Sequence, residues 1–222
     1  TPKLERHQTS MELLSSFDVE YINSDALLFQ TGYLTIHDVQ QPLLGTWVYT
    51  LGYPNFEVKT SLNSALLAGL VHDGQSAFEH RLRLLPLLQA CDFAGLQALF
   101  AAFYDSIPHD WYRNNPIAQY EGYWASVFYS HFAALGLDIR CEDSTSFGRI
   151  DMTVLFNGQV YLFEFKVIES QPAGRALAQI KARGYADKYR ALGQPIHLIG
   201  VEFSKVSRSV VGFEVQTLAQ NA

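Results

Sequence analysis

Gly148-Arg149-Ile150-Asp151-Met152-Thr153-Val154-Leu155-Phe156-Asn157-Gly158-Gln159-Val160-Tyr161-Leu162-Phe163-Glu164-Phe165-Lys166 reads as two strands joined by a tight turn. Ile150, Met152, Val154 and Phe156 alternate, which predicts one apolar strand face. Asn157-Gly158 supplies the two residues that tolerate positive φ in a two-residue hairpin turn. Val160 to Val167 returns as the partner strand. On it Glu164 and Lys166 share one face, and Tyr161, Phe163, Phe165 and Val167 share the other. The plain reading of Glu164 and Lys166 is the solvated face of an amphipathic strand. Buried as a mere ion pair, they would bring no obvious gain in stability. Two acids, Asp151 and Glu164, beside a lysine suit another purpose. Hard oxygen ligands converge on Mg²⁺, and an ammonium beside them stabilises a phosphate anion.

Outward from the hairpin, Asn115 is an expected N-cap and Pro116 an expected first turn of a helix running to about Leu135, stopped by Gly136. Asp138 to Thr145 reads as a strand, Ala173 to Ala191 as a helix, Pro195 to Phe203 as an apolar strand and Val210 to Val215 as a last short strand. The order is α-β-β-β-α-β plus one strand. On a continuous helix at ~100° per residue, Arg175, Gln179, Arg183 and Arg190 would fall within roughly 80° of one another, a basic stripe or a solvated face. Residues 61 to 105 carry apolar residues at helical spacing: Leu62, Ala65, Leu66, Leu70, then Leu82, Leu85, Leu88, then Phe93, Leu96, Leu99, Phe100, Phe103. Asp92 is the expected cap of the last of these helices. Residues 106 to 115 read as a linker. Before residue 61 the pattern predicts a helical turn at Met11 to Phe17 and short strands at Ala26 to Gln30, Tyr33 to His37, Trp47 to Leu51 and Phe56 to Thr60. Gly52-Tyr53-Pro54-Asn55 would turn between the last two.

The 222 residues are 48% hydrophobic and 17% charged, enough to bury a core as one large domain or two small ones. Lys and Arg number 16 against 22 Asp and Glu, a net charge of -6 that excludes a generally basic nucleic-acid coat. The charge is uneven: residues 1 to 165 carry -10 and residues 166 to 222 carry +4. Cys91 and Cys141 show neither zinc spacing nor a disulfide framework and are expected to be reduced, buried thiols of a cytoplasmic protein. No apolar run reaches the ~18 residues of a membrane helix, and Thr1 to Glu12 is too polar for a signal peptide. The absence of an initiator Met suggests a fragment. The seven histidines include no HExxH, and no Gly-x-Ser-x-Gly is present.

The Gly148-Arg149-Ile150-Asp151 segment, thirteen residues before Glu164-Phe165-Lys166, resembles the PD-(D/E)XK nuclease signature, with Ile150 where Pro is usual. The element order resembles that superfamily's common core. Tyr120 to Tyr123, Glu142 to Thr145, Gln179 to Lys181, Gly184 to Tyr189 and Gly200 to Phe203 are similar to a bacterial family of these nucleases, whose catalytic domain follows an AAA-ATPase-like domain. Leu28 to Leu34 and Leu51 to Asn55 resemble the end of that ATPase-like domain. The resemblance implies a restriction-endonuclease-like α/β core, an α+β mixed sheet, at 111–222, preceded by a mainly helical segment. It implies an ATPase-like remnant at 1–72 and a helical connector at 73–110. Asp151, Glu164 and the carbonyl of Phe165 would ligate Mg²⁺ or a substituting Mn²⁺, with Glu121 joining through water. Lys166 would position the attacking water and stabilise the phosphorane, with Gln179 nearby. Apart from the resemblance, the stripe of Arg175, Arg183 and Arg190 could follow the backbone of DNA, or of RNA, and Tyr185 and Tyr189 could stack on bases, although core packing is the expected role of at least one of them. No GxxxxGK[ST] loop is present, so no ATP site is implied. The rival reading is a catalytically silent nucleic-acid-binding or interaction module; retention of Asp151, Glu164 and Lys166 together favours the enzyme. A third is a scaffold that self-associates or binds a partner through the helices at 61 to 105.

Overall fold

The structure is a computed structural model that describes residues 4, 7–15, 23–113 and 116–219. The chain forms two compact units, Thr1–Asn63 and Ser64–Ala222. The first holds β1 (His7–Thr9), α1 (Met11–Ser15), α2 (Ser24–Gln30), β2 (Thr35–Leu43), β3 (Thr46–Gly52) and the start of α3 (Phe56–Val71). Its sheet runs β1-β3-β2, with both pairs antiparallel. Leu14, Leu34, Leu51, Tyr53 and Leu62 form its core.

Two expected strands in this unit are helical. Ala26 to Gln30 lies in α2 because Asn23 Oδ1 accepts from the backbone N–H of Asp25 at 2.8 Å and of Ala26 at 3.3 Å, an N-cap that commits the chain to a helix. Phe56 to Thr60 opens α3 for the same reason, with Asn55 Oδ1 accepting from Val58 N at 2.9 Å. The Pro54-Asn55 pair therefore starts a helix instead of turning a hairpin. Residues 16 and 17 of the expected first helical turn lie outside the described residues.

The second unit holds α4 (Gly74–Gln89), α5 (Phe93–Asp105), α6 (Glu121–Ala134), β4 (Asp138–Thr145), β5 (Gly148–Phe156), β6 (Gln159–Ile168), α7 (Arg175–Ala182), β7 (Ile196–Ser204) and β8 (Val210–Leu218). Its sheet runs in order β4-β5-β6-β7-β8; only β6 and β7 pair in parallel. Alternation along β6 serves both faces. Tyr161, Phe163 and Phe165 meet α5 and α6 through Phe100, Phe103, Trp124, Phe128 and Phe132. Val160 and Leu162 meet Leu177 and Ile180 of α7, with Tyr185 and Tyr189 beyond it. Tyr161 donates to Leu88 O at 2.8 Å and so fastens the end of α4 to β6. Among the described residues no helix is long and apolar enough to cross a membrane.

Two boundaries differ from expectation. Pro116–Gln119 is a separate 3-10 turn, so α6 starts at Glu121; Asn115 lies outside the described residues. The helix expected over 173 to 191 ends at Ala182 because Gly184 takes a left-handed φ of 59°, and Tyr185–Leu192 continues as 3-10 turns. Arg190 therefore leaves the face that carries Arg175 and Gln179. Among the described residues neither cysteine forms a disulfide, and both are partly exposed instead of buried.

Two residues of β7 fix α7 on the sheet. Glu202, 2% exposed, accepts four backbone N–H groups at the entrance of α7: Ala173 at 2.5 Å, Gly174 at 3.2 Å, Arg175 at 2.6 Å and Ala176 at 3.3 Å. A carboxylate there satisfies the orphan donors of the first turn and complements its dipole. Gly200 lets the helix approach, since a Cβ at that position would lie 2.3 Å from the backbone N of Leu177. Gly200→Ala is accordingly expected to destabilise the protein by about 2 kcal/mol through overpacking. Gly69→Ala, in an exposed turn of α3 with open space around it, should stabilise by up to about 1 kcal/mol. Urea unfolding of both variants checks the pair; equal midpoints would refute the close-approach argument.

Candidate active site

The site forms where β5 leaves β6. Their ladder runs from Phe156 with Gln159 to Met152 with Phe163 and stops there. Ile150 lies in the cluster on the α7 side, whereas Met152 lies in the opposite cluster. The strand changes face at Asp151, so the expected single row of Ile150, Met152, Val154 and Phe156 is broken at its first member. Across β4 the same point is marked by Glu142, with φ 48°. In the fork, Asp151 Oδ2 accepts from the backbone N–H of Phe165 at 2.8 Å. A side-chain carboxylate thus takes the place of the missing ladder carbonyl.

Glu164 and Lys166 follow on the α7 face of β6, where the apolar row of Val160 and Leu162 ends. Glu164 is 1% exposed, so it is not a solvated strand residue. Lys166 Nζ donates to Phe165 O at 2.9 Å, to Glu164 Oε1 at 3.2 Å and to Glu121 Oε1 at 3.3 Å. Glu121, the first residue of α6, also accepts from Val167 N at 3.4 Å through Oε2. Gln179, one turn into α7, donates its side-chain amide to Glu164 Oε1. Asp151, Glu164, Lys166, Glu121 and Gln179 therefore converge, from β5, β6, α6 and α7.

The electrostatics follow from this burial. Desolvation, and then the negative charge of Asp151, push Glu164 up from an ordinary 4.5 to about 7. Desolvation also raises Asp151, with the Phe165 N–H pulling the other way. Burial works against the Lys166 ammonium, yet the carboxylates of Glu164, Glu121 and Asp151 raise its pKa all the same. Among the described residues, buried Glu164 Oε2 has no hydrogen-bond partner. Two acids that resist ionisation, an orphaned carboxylate oxygen and a nearby carbonyl make an all-oxygen set suited to a hard divalent cation. Among the described residues no three His, Cys, Asp or Glu side chains stand together as a ready-made cage. Such a cation would draw on Asp151, Glu164, the Phe165 carbonyl and water.

The expected nucleic-acid contacts fare unevenly. Arg175, Arg183 and Arg190 are exposed, but Arg190 Nε is held by Asp187 at 2.7 Å and Arg183 donates to Phe147 O at 3.1 Å. Tyr185 and Tyr189, 3% and 2% exposed, are core residues and not stacking platforms. Sequence reasoning missed Glu202, and it missed Asp143, which receives Lys188 Nζ and the Tyr189 hydroxyl and so ties the segment after α7 to β4. The signal for the first was the conjunction of Gly200-Val201-Glu202 with the start of a helix; nothing local signalled the second.

A curated protein of Azotobacter chroococcum mcd 1, described as an uncharacterized protein in the vnfD 5′ region, is 64% identical over 219 residues, 98% of this chain and 42% of that protein. The chain thus spans less than half the length of this relative. No solved structure matches this chain significantly. Residues 119–213 match the model of the PD-(D/E)XK nuclease superfamily, and the mixed sheet between helices that they build has the restriction-endonuclease-like fold.

Proposed function

We propose that the second unit is a metal-dependent nuclease that hydrolyses phosphodiester bonds in DNA, with RNA as the alternative substrate. The observation that carries this reading is the convergence of Asp151 and Glu164 with Lys166 at the β5–β6 fork. A bound Mg²⁺ or Mn²⁺ would supply Lewis acidity toward the scissile phosphate and a water of lowered pKa. Asp151, Glu164 and the Phe165 carbonyl would hold it. Gln179 anchors Glu164 Oε1 and leaves Oε2 for the ligand role. Lys166 places a cation beside both acids, where it orients the attacking water and offsets the growing charge on phosphorus. Glu121, at the start of α6, holds that ammonium at 3.3 Å before metal and substrate bind. Arg175 and Arg183 lie at the two ends of α7 and give the strand a salt-sensitive backbone contact. Arg190 is committed to Asp187. The upstream ATPase-like context is part of the same proposal and rests on the resemblance of residues 28–34 and 51–55.

Purified protein should cleave single- or double-stranded DNA, or RNA, in Mg²⁺ or Mn²⁺ and not in chelator. Asp151→Ala and Lys166→Ala should each lower that rate by about 100-fold or more. Cleavage that survives both substitutions would falsify the site, and metal binding with no cleavage of any substrate would favour the silent binding module.

The buried acids also fix a pH dependence of the metal-free protein. Glu164 holds its proton up to about 7 in the folded chain and only to about 4.5 when unfolded. The folded state then binds more protons between those values, so stability must fall as pH rises through that window. Buried His131, lowered to about 3, acts in the opposite sense, gaining stability as pH rises toward 6.5. The difference between wild type and Glu164→Gln isolates the carboxyl. In chelator, the melting temperature of wild type should drop relative to Glu164→Gln between pH 4.5 and pH 7. Parallel melting curves would contradict the raised carboxyl.

A further inference from the structure

We propose that Lys166 is a tethered cation that fills the oxygen cradle until a divalent metal displaces it, so that metal binding releases the ammonium to the substrate phosphate. The proposal rests on the nuclease reading and adds an order of events to it. The ammonium has three N–H groups. All three have acceptors within the site: Phe165 O at 2.9 Å, Glu164 Oε1 at 3.2 Å and Glu121 Oε1 at 3.3 Å. Phe165 O is the carbonyl on which a metal would also draw, and Glu164 Oε1 belongs to the same carboxylate whose Oε2 would hold it.

Two consequences follow from elementary electrostatics. An ammonium and a dication drawn to the same carbonyl and the same carboxylate group repel each other, so the metal drives the ammonium out. An ammonium whose three donors are spent on the cradle also has none left for a phosphate. The lysine is built to move: its stem is flexible, and its side chain is 23% exposed, against 1% for Glu164. Once it swings out, the carboxylates hold the metal and the freed charge faces incoming substrate. Metal and nucleic acid then bind with positive coupling, and the coupling passes through this one side chain. Thermodynamic linkage requires it to act in both directions.

The test titrates the metal-free full chain with Mn²⁺ by calorimetry, using wild type, Lys166→Met and Asp151→Asn. Lys166→Met should bind Mn²⁺ about 10-fold more tightly than wild type, because no tethered charge competes. The gain should persist in about 0.5 M KCl, where screening removes general repulsion beyond a few ångströms. Equal or weaker binding, or a gain confined to low salt, overturns the displacement. Asp151→Asn tests the underlying site separately. If neither wild type nor Lys166→Met binds Mn²⁺ through Asp151, the metal reading itself fails. A second readout is the anisotropy of a labelled oligonucleotide with and without Ca²⁺. Ca²⁺ should strengthen binding to wild type by a factor about 5-fold larger than for Lys166→Met. Equal factors would show that no lysine is released.

Discussion

The second unit is organised around one costly act, the burial of the Glu164 carboxylate in the middle of a five-stranded sheet. An isolated charge there would be expelled or neutralised. The chain keeps it by giving it two partners, Lys166 from β6 and Gln179 from α7, and each imposes a constraint on its own element. Lys166 must share the α7 face of β6, which the two-residue period guarantees. Gln179 must arrive from α7, which demands close contact between that helix and β7. Asp151 must leave the ladder, which forces β5 to diverge from β6 beside Glu164. The site and the irregularities of the sheet are thus one structure.

The position of α7 shows how indirect the control is. Gln179 touches Glu164, yet Gly200 and Glu202 decide where Gln179 lies. Gly200 pairs with Glu164 and Glu202 pairs with Lys166 in the parallel ladder. Four residues from two adjacent strands therefore face the same helix in a two-by-two block. Two are the charged residues of the site, and the other two seat the helix that serves it. Removing the Glu202 anion would unseat α7 before it affected the sheet, because the strand ladder does not use that side chain.

The hairpin, its turn and the pairing of acids with lysine were legible in the sequence because they depend on period two and on one asparagine-glycine step. Both turn residues take the expected positive φ, 50° at Asn157 and 69° at Gly158. The face change at Asp151 was not legible. Alternation assumes that a strand stays in its ladder, and here a side chain replaces a ladder bond. The break of the long helix was missed because Gly184 in a helical pattern reads as a tolerated residue and not as a stop. The two helices read as strands at 26–30 and 56–60 turned on the asparagine caps Asn23 and Asn55, and Asn55 sits in a Gly-Tyr-Pro-Asn run that serves a hairpin turn or a helix start equally well. Glu202 and Asp143 act across 26 to 46 residues of sequence, and no local pattern encodes such a distance.

The uneven charge of the chain takes a different meaning once these contacts are drawn. The +4 of residues 166–222 suggested a basic tract. Several of its cations are already matched: Lys166 by Glu164 and Glu121, Lys188 by Asp143, Arg190 by Asp187 and Lys205 by Glu169. Arg208 lies over the Tyr112 ring, with its guanidinium carbon 4.8 Å from the centroid. Arg175, Lys181 and Arg183 remain on α7 or at its end, all exposed, and none of them forms an ion pair with an acid among the described contacts. That helix also carries Gln179. The attraction a polyanion would feel is therefore concentrated on the element that contacts Glu164. The quantity that matters is the placement of a few charges on α7, since the rest of the surplus is spent inside the fold.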